Sequence, residues 1–292
     1  MIVRIPATSA NLGPGFDTLG LALGLYNDFI VTPSILQSIR IEGEGKNIPK
    51  LLKDNNFIKV FKDIYVDLGG KEQQFSFCLK NHIPISRGLG SSSAVIVGAI
   101  VSAYEILKIP YTRDLILSKA VKYERHPDNI TPAVNGGFNI AMVKNGRVFY
   151  VKQKIANDIK AVVVIPNKAI STKYSRKALP KQCSFNDTIF NISRASMISG
   201  IFMSRRWNLL KIAAEDKIHQ DKRMALFPVL FSVRKEALKK GALMSVLSGS
   251  GSTFLNICYR DDAANLAKVL SDKFRDFRIL ELEFDNSGIS IQ

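Results

Sequence analysis

The chain has 292 residues, 46% of them hydrophobic and 23% charged, enough to bury a substantial core and long for one average domain, so two domains are expected. Three dispersed cysteines (Cys78, Cys183, Cys258) and three histidines, without metal-ligand spacing, exclude a disulfide scaffold and a zinc finger and fit a reducing compartment. The 41 Lys+Arg against 25 Asp+Glu give a formal charge of +16, which raises nucleic acid or an anionic membrane surface as partners to be weighed.

In chain order, Ile2 to Pro6, Gly20 to Val31 and Phe75 to Lys80 are apolar or alternating segments rich in strand formers and bounded by Pro, Gly and Asn, which predicts strands. Between the second and third, Asn55 to Leu68 sets Phe57, Val60, Phe61, Ile64 and Leu68 at helical spacing. Ser91 to Leu107 reads as a longer helix, apolar nearly all round and therefore buried. Gly137 to Val143 and Arg147 to Val151, separated by Lys-Asn-Gly, predict a hairpin. A second series follows: a strand Ala161 to Pro166, helices near 184–203 and 224–239, strands Leu243 to Leu247 and Thr253 to Cys258, a helix over 262–274 and a strand over 278–284. This order suggests an α+β chain, with domains 1–156 and 157–292.

Three glycine-rich segments carry the chemistry. The first joins a strand to the buried helix: Pro84, Ile85, Ser86, Arg87, Gly88, Leu89, Gly90, Ser91, Ser92, Ser93. Glycines allow a tight turn and close approach to a ligand, and the helix that follows points unpaired N–H groups and its positive dipole end into the loop, which suits a phosphate. Ser91 and Ser92 add hydroxyls for phosphate oxygens or Mg²⁺, and Arg87 adds charge. A plain serine cap after a glycine turn would give the same pattern. Neither G-x-x-x-x-G-K-[ST] nor G-x-G-x-x-G is present, since Ser93 stands at the third glycine of the latter. The second segment, Pro6 to Asp17, is dense in small residues and holds Asn11 and Asp17; a carboxylate there can hold an ammonium and the amide can donate or accept. The third, Leu247-Ser-Gly249-Ser-Gly251-Ser-Thr253, lies between two predicted strands, where an ordinary glycine hairpin is the simpler reading.

Together and in this order the three segments resemble the GHMP kinases. Pro6 to Asp17 with Leu19-Gly20, Glu124-Arg-His126-Pro-Asp128-Asn129 with Pro132 to Gly137, Ser171 to Pro180, and His219 to Pro228 are similar to the members that phosphorylate homoserine, and the resemblance spans residues 3 to about 257. It implies a two-domain GHMP kinase fold, with a ribosomal-protein-domain-2-like N-terminal half and a ferredoxin-like C-terminal half. It further implies ATP and Mg²⁺ as cofactors, transfer of phosphate to the side-chain hydroxyl of L-homoserine on the way to threonine, and a homodimer.

By the same resemblance, backbone N–H groups of Gly88 to Ser92 cradle the phosphates, and Ser91 and Glu124 are the Mg²⁺ ligands. Asp17 takes the substrate ammonium and Arg176 with Arg223 its carboxylate, a guanidinium fork matching two oxygens. Asn11, His126, Asn129 and Thr172 complete the hydrogen bonding, although His126 could equally be a structural histidine. Asp128 is the obvious carboxylate for a base, yet the resemblance implies none, with Asn129 near the hydroxyl. Asn56 matches a nucleotide-side position, where an Asn helix cap is the competing reading. The phosphate loop has Ser86-Arg87 where Gly and a small residue are commoner in the family, and Ser93 where Ala is usual.

The charge excess lies mainly in the second half: residues 1–150 hold 17 basic and 12 acidic residues, leaving 24 and 13 for 151–292. It comes in pairs such as Arg205-Arg206 and Lys239-Lys240, with no run of five like charges, no RNA-recognition signature and no stripe of Lys/Arg interleaved with aromatics, so a solvated surface and no nucleic-acid partner are expected. No secretory signal is visible, and the longest apolar stretch, Ala94 to Leu107, is interrupted by Gly98, Ser102 and Glu105. A soluble cytoplasmic protein without a membrane partner is the expectation.

Overall fold

The computed structural model describes all 292 residues, except for the side chains of residues 172 and 173. The first half runs β1 (Val3–Ala10), β2 (Leu19–Ser34), β3 (Ser38–Gly43), α1 (Pro49–Lys53), α2 (Asn56–Asp67), β4 (Gln74–Asn81), α3 (Ser91–Leu107), α4 (Arg113–Ala120), α5 (Pro127–Asn135), β5 (Phe138–Lys144) and β6 (Arg147–Gln153). The second runs β7 (Ile159–Ile165), α6 (Thr172–Lys177), α7 (Phe185–Ser204), α8 (Leu210–Ala213), α9 (Gln220–Met224), α10 (Val229–Lys239), β8 (Met244–Leu247), β9 (Phe254–Tyr259), α11 (Ala263–Lys273), β10 (Arg278–Leu282) and β11 (Ser290–Ile291).

Two sheets result. The first joins β11-β1-β2-β4-β3, with β5 also on β2 and β6 on β5; the second is β10-β7-β9-β8. All pairings are antiparallel except β3 with β4. The fold is thus α+β, as expected from the order of elements. The link between the sheets is residues 154–158, while the chain end crosses back so that β11 pairs with β1.

Local rules explain the elements that place the cleft. Asn55 caps α2, its Oδ1 accepting from the N–H groups of Phe57 and Ile58, and Phe57, Val60, Phe61 and Ile64 bury one face. Phe57 stacks on Phe29, and Phe57 and Phe61 meet Phe77 and Phe75 edge to face, forming an aromatic layer over the first sheet. α3 is buried from Ser93 through Tyr104 apart from the half-buried Val95, which accounts for its lack of a polar face. The Asn145-Gly146 turn between β5 and β6 has φ of 51° and 72°, the left-handed pair that a two-residue hairpin of this twist requires. Among the described residues no helix is long and apolar enough to cross a membrane.

Several boundaries differ from the sequence expectation. The first strand continues past Pro6 to Ala10 across an irregularity in its pairing with β2. The helix expected over 224–239 begins only at Val229, after Pro228, which has no N–H to donate and stands at its N-terminus, while Met224 is the last residue of the separate α9. The last expected strand stops at Leu282, and Phe284 instead bridges to Leu23 in the first sheet. Short α1, α4, α5, α6, α8 and α9, as well as β3 and β11, went unpredicted.

Candidate active site

A cleft of about 280 Å³ lies where the three glycine segments meet, and it is lined by Asn11, Asp17, Asn56, Glu124, His126, Asp128, Asn129, Arg176 and Arg223 together with residues 84–93 other than Leu89. The side chain of Thr172 lies outside the described residues.

The phosphate-loop candidate is held from behind. Gly88 (φ 80°) and Gly90 (φ 68°) adopt left-handed conformations, and a Cβ on either would stand 2.1 Å from the Ser248 carbonyl oxygen or 1.9 Å from Thr8 Oγ1. The Ser248 hydroxyl bonds Gly88 O at 2.6 Å and Ser9 Oγ at 2.8 Å, and the Thr253 N–H donates to Arg87 O. α3 makes its first backbone bond from Ala94 N–H to Gly90 O, so the N–H groups of Ser91, Ser92 and Ser93 precede the helical ladder at its positive end. Ser91 and Ser92 are thus at the first turn facing the cleft.

Two members of this loop do other work. The Leu89 side chain is in the core at 1% exposure. Arg87 donates to the carbonyls of Pro166, Ile85 and Asn167, pinning the loop to the end of β7 while the residue still lines the cleft. Asn56 lines the cleft, while its neighbour Asn55 is the helix cap. Beyond it, Ile41, Leu51, Leu79, Ile85 and Val95 give the cleft an apolar end, which the sequence reading left unmarked.

At the opposite end the charges gather. Arg176 donates to Asp17 Oδ1 at 2.7 Å, and His126 Nε2 is 3.7 Å from Asp17 Oδ2. His126 Nδ1 is 3.0 Å from Glu124 Oε1, a contact that, more than any other, raises the imidazole pKa. Glu124 sits in the turn after α4 and is not on a helix face. Asp128 and Asn129 occupy the first turn of α5, with Thr8 Oγ1 donating to Asn129 Oδ1 at 2.7 Å. Burial, then the neighbouring Asp17, pushes the Asp128 carboxyl up to about 7.

Arg223, 2% exposed on α9, is placed by a brace that sequence reasoning missed. Its Nη1 donates to Gly249 O at 3.0 Å, and His219, one turn before it, meets Gly13 O through Nε2 at 2.6 Å. Asp216 accepts from the backbone N–H groups of residues 218–220, fixing the entry to α9. Phe16 carries both arginines, the guanidinium carbons of Arg176 and Arg223 standing 5.3 Å and 5.1 Å from its ring centre. Burial, then Arg176, lowers Arg223 to about 10. The Nε atoms of both arginines lack a partner.

Asn11 is engaged at both ends: Nδ2 donates to Gly249 O at 3.0 Å and Oδ1 accepts the Asp17 N–H at 3.0 Å, so its amide braces the carboxylate loop against the third glycine segment. The cleft therefore combines amide donors for phosphate with an acid–base pair whose polarity matches a zwitterion.

Two family matches span most of this architecture. Residues 55–137 match the GHMP kinases N terminal domain and residues 198–276 the GHMP kinases C terminal domain. The chain is 56% identical to the homoserine kinase of Helicobacter hepaticus over 296 aligned positions, covering 100% of this chain and 99% of that protein. It is 54% identical to the homoserine kinase of Wolinella succinogenes, covering 99% of each. In architecture it is similar to the crystal structure of homoserine kinase from Cytophaga hutchinsonii, with a TM-score of 0.89 at 24% identity over 100% of this chain and 97% of that one. The chain belongs to the GHMP kinases, in the homoserine kinase family.

Proposed function

We propose that the chain transfers the γ-phosphoryl group of ATP to the side-chain hydroxyl of L-homoserine, giving O-phospho-L-homoserine and ADP, a step toward threonine. The observation that carries this reading is the meeting, in one cleft, of the glycine loop at the start of α3 with the Asp17–Arg176 pair. A zwitterion entering that pair exchanges partners like for like, its ammonium taking Asp17 and its carboxylate taking Arg176 and Arg223. The hydroxyl then lies toward Asn129, between the amino-acid end and the phosphate loop. The uncharged side-chain hydroxyl oxygen bonds to the γ-phosphorus as the bond from that phosphorus to the β–γ bridging oxygen breaks and ADP leaves.

Such transfers ask mainly for alignment and charge neutralisation. N–H groups of residues 88–92 receive phosphate oxygens. Asn129, fixed by Thr8, orients the hydroxyl; its proton passes to an oxygen of the transferred phosphoryl group and from there to water, with no side chain as base, and Asp128 acts through the local field. The donor set suits Mg²⁺: among the described residues no three His, Cys, Asp or Glu cluster, but one hydroxyl and one carboxylate, Ser91 and Glu124, line the same cleft and leave positions for phosphate oxygens and water. When bound there, Mg²⁺ supplies positive charge against the transferring phosphoryl group. The division into domains 1–156 and 157–292, a homodimer and a cytoplasmic location belong to the same proposal.

A panel of alcohols including L-homoserine, mevalonate, shikimate and sugars, assayed with Mg-ATP by coupled ADP release, tests it. Turnover of L-homoserine with a Glu124→Gln variant folded and inactive is expected; turnover of mevalonate without L-homoserine overturns the assignment.

A further inference from the structure

Phe16 and Asp17 stand side by side in the turn after β1, which is closed by the N–H groups of Thr18 and Leu19 donating to Gly15 O. Neighbouring side chains of an extended chain point to opposite sides. Asp17 is instead left-handed, at φ 55°, and both side chains reach the same guanidinium: Arg176 donates to Asp17 Oδ1 at 2.7 Å, and its guanidinium carbon stands 5.3 Å from the centre of the Phe16 ring. The guanidinium carbon of Arg223, from α9, stands 5.1 Å from the same centre. His219 packs against the ring in turn, its imidazole centre 5.1 Å away at a 45° tilt and its Nε2 meeting Gly13 O. Phe16 is not among the residues that line the cleft.

We infer that Phe16 is a positioning residue for the reaction: its ring holds Arg176 and Arg223 together as one two-armed receptor for the substrate carboxylate. This rests on the reading of the two arginines as the carboxylate ligands. Like charges so close press on each other, and the charge of Arg176 is, after burial, what lowers Arg223. The negative face of an aromatic ring attracts both guanidiniums without carrying a charge of its own. A carboxylate in its place would pair with them permanently and compete with the substrate. An aliphatic side chain would fill the space and attract neither.

The hydrogen bonds of the two arginines give the ring its importance. In the free cleft Arg176 is held by Asp17, the group assigned to the substrate ammonium, and Arg223 by Gly249 O at 3.0 Å. The Nε of each is buried without a hydrogen-bond partner, so neither fork is fastened along its stem. When an ammonium arrives at Asp17, Arg176 must share or give up that anchor, whereas no part of homoserine competes for the ring. Phe16 thereby keeps the fork of Arg176 beside that of Arg223 through the exchange of partners, when both turn to the carboxylate and fix the direction in which the hydroxyl points.

The full chain with Phe16 replaced by phenylalanine carrying one, two or three ring fluorines tests this, because fluorine withdraws charge from the ring face while nearly keeping its shape. In coupled ADP release at saturating Mg-ATP, the KM for L-homoserine should climb about twofold per fluorine, to about 10-fold at three, with kcat, the KM for ATP and the thermal midpoint nearly constant. Phe16→Leu should raise the same KM at least as far as the trifluorinated ring. A flat fluorine series beside an Arg223→Lys protein whose KM has risen overturns the role of Phe16 and leaves the arginines on the carboxylate; a flat series with the Arg223→Lys KM also unchanged overturns both. A KM for ATP that rises in step, or a thermal midpoint that falls with fluorine count, makes the ring a packing element and overturns the inference as well.

Discussion

Replacing Arg223 by lysine isolates the value of a guanidinium fork in the proposed amino-acid end of the cleft. Arg223 is 2% exposed, one of its nitrogens is committed to Gly249 O at 3.0 Å, and its Nε has no protein partner. Lysine keeps the charge but offers a single donor centre, so it can serve Gly249 or the substrate carboxylate and not both. One charge-assisted hydrogen bond contributes about 1.5–3 kcal/mol, and the face contact with Phe16 adds about 0.5–1 kcal/mol. A net loss near 2 kcal/mol corresponds to about a 30-fold fall in kcat/KM for L-homoserine. The assay is coupled ADP release with L-homoserine varied at saturating Mg-ATP, repeated with ATP varied, alongside thermal unfolding of both proteins. The KM for ATP should stay within about twofold, since Arg223 does not touch the phosphate loop. A fall of less than about threefold, or a KM for ATP that rises in step, would refute the placement of Arg223 on the substrate.

The remaining expectations concern positioning and pH. With its carboxyl raised from 3.8 to about 7, Asp128 holds a proton in the native state that the unfolded chain has lost, so its contribution declines as pH rises from about 4 to about 7. Asp128→Asn should flatten that slope in urea titrations and cost kcat less than about tenfold; parallel slopes would remove the shift, and a loss of several orders of magnitude would make Asp128 a base. Gly90→Ala places a Cβ 1.9 Å from Thr8 Oγ1 at φ 68°, and with the left-handed penalty alone about 1–2 kcal/mol, it should lose both stability and ATP affinity; wild-type values for both would contradict the cradle. Arg113 donates to Asn135 O at the end of α5 and to Ser287 O in the C-terminal segment. Arg113→Ala should cost about 1–3 kcal/mol in urea unfolding and lower kcat more than it changes either KM, because the same helix bears Asp128 and Asn129 at its start; unchanged kcat would uncouple that clamp from the cleft.

What the sequence made legible was local. The glycine loop before Ser91, the paired hydrophobic spacing of α2 and the Lys-Asn-Gly hairpin all depend on neighbours within a few residues, and each was found near its expected place. The roles that could not be read depend on partners far along the chain. The hold of Arg87 on Pro166 and Asn167 reaches about 80 residues along the chain. The tie of Asn11 to Gly249 spans 238 residues. Likewise nothing local to Phe16 shows that two arginines from later helices meet over its ring. Short α5 and α9 escaped because nine and five residues carry too few turns for a clear periodicity, although the Pro127 start and the Gly136 stop of α5 are readable end signals.

The bonds behind the phosphate loop also set a schedule for biosynthesis. Gly88 and Ser9 are held by Ser248, and Arg87 by the N–H of Thr253. A nascent chain that has emerged only through residue 240 contains the whole glycine loop yet lacks the residues that shape it, and closing contacts of such sequence separation is slow relative to local helix formation. Nucleotide affinity is therefore acquired near the end of synthesis, so an unfinished chain withdraws little ATP from its surroundings and gains no ligand stabilisation until the last fifth of the polypeptide is in place.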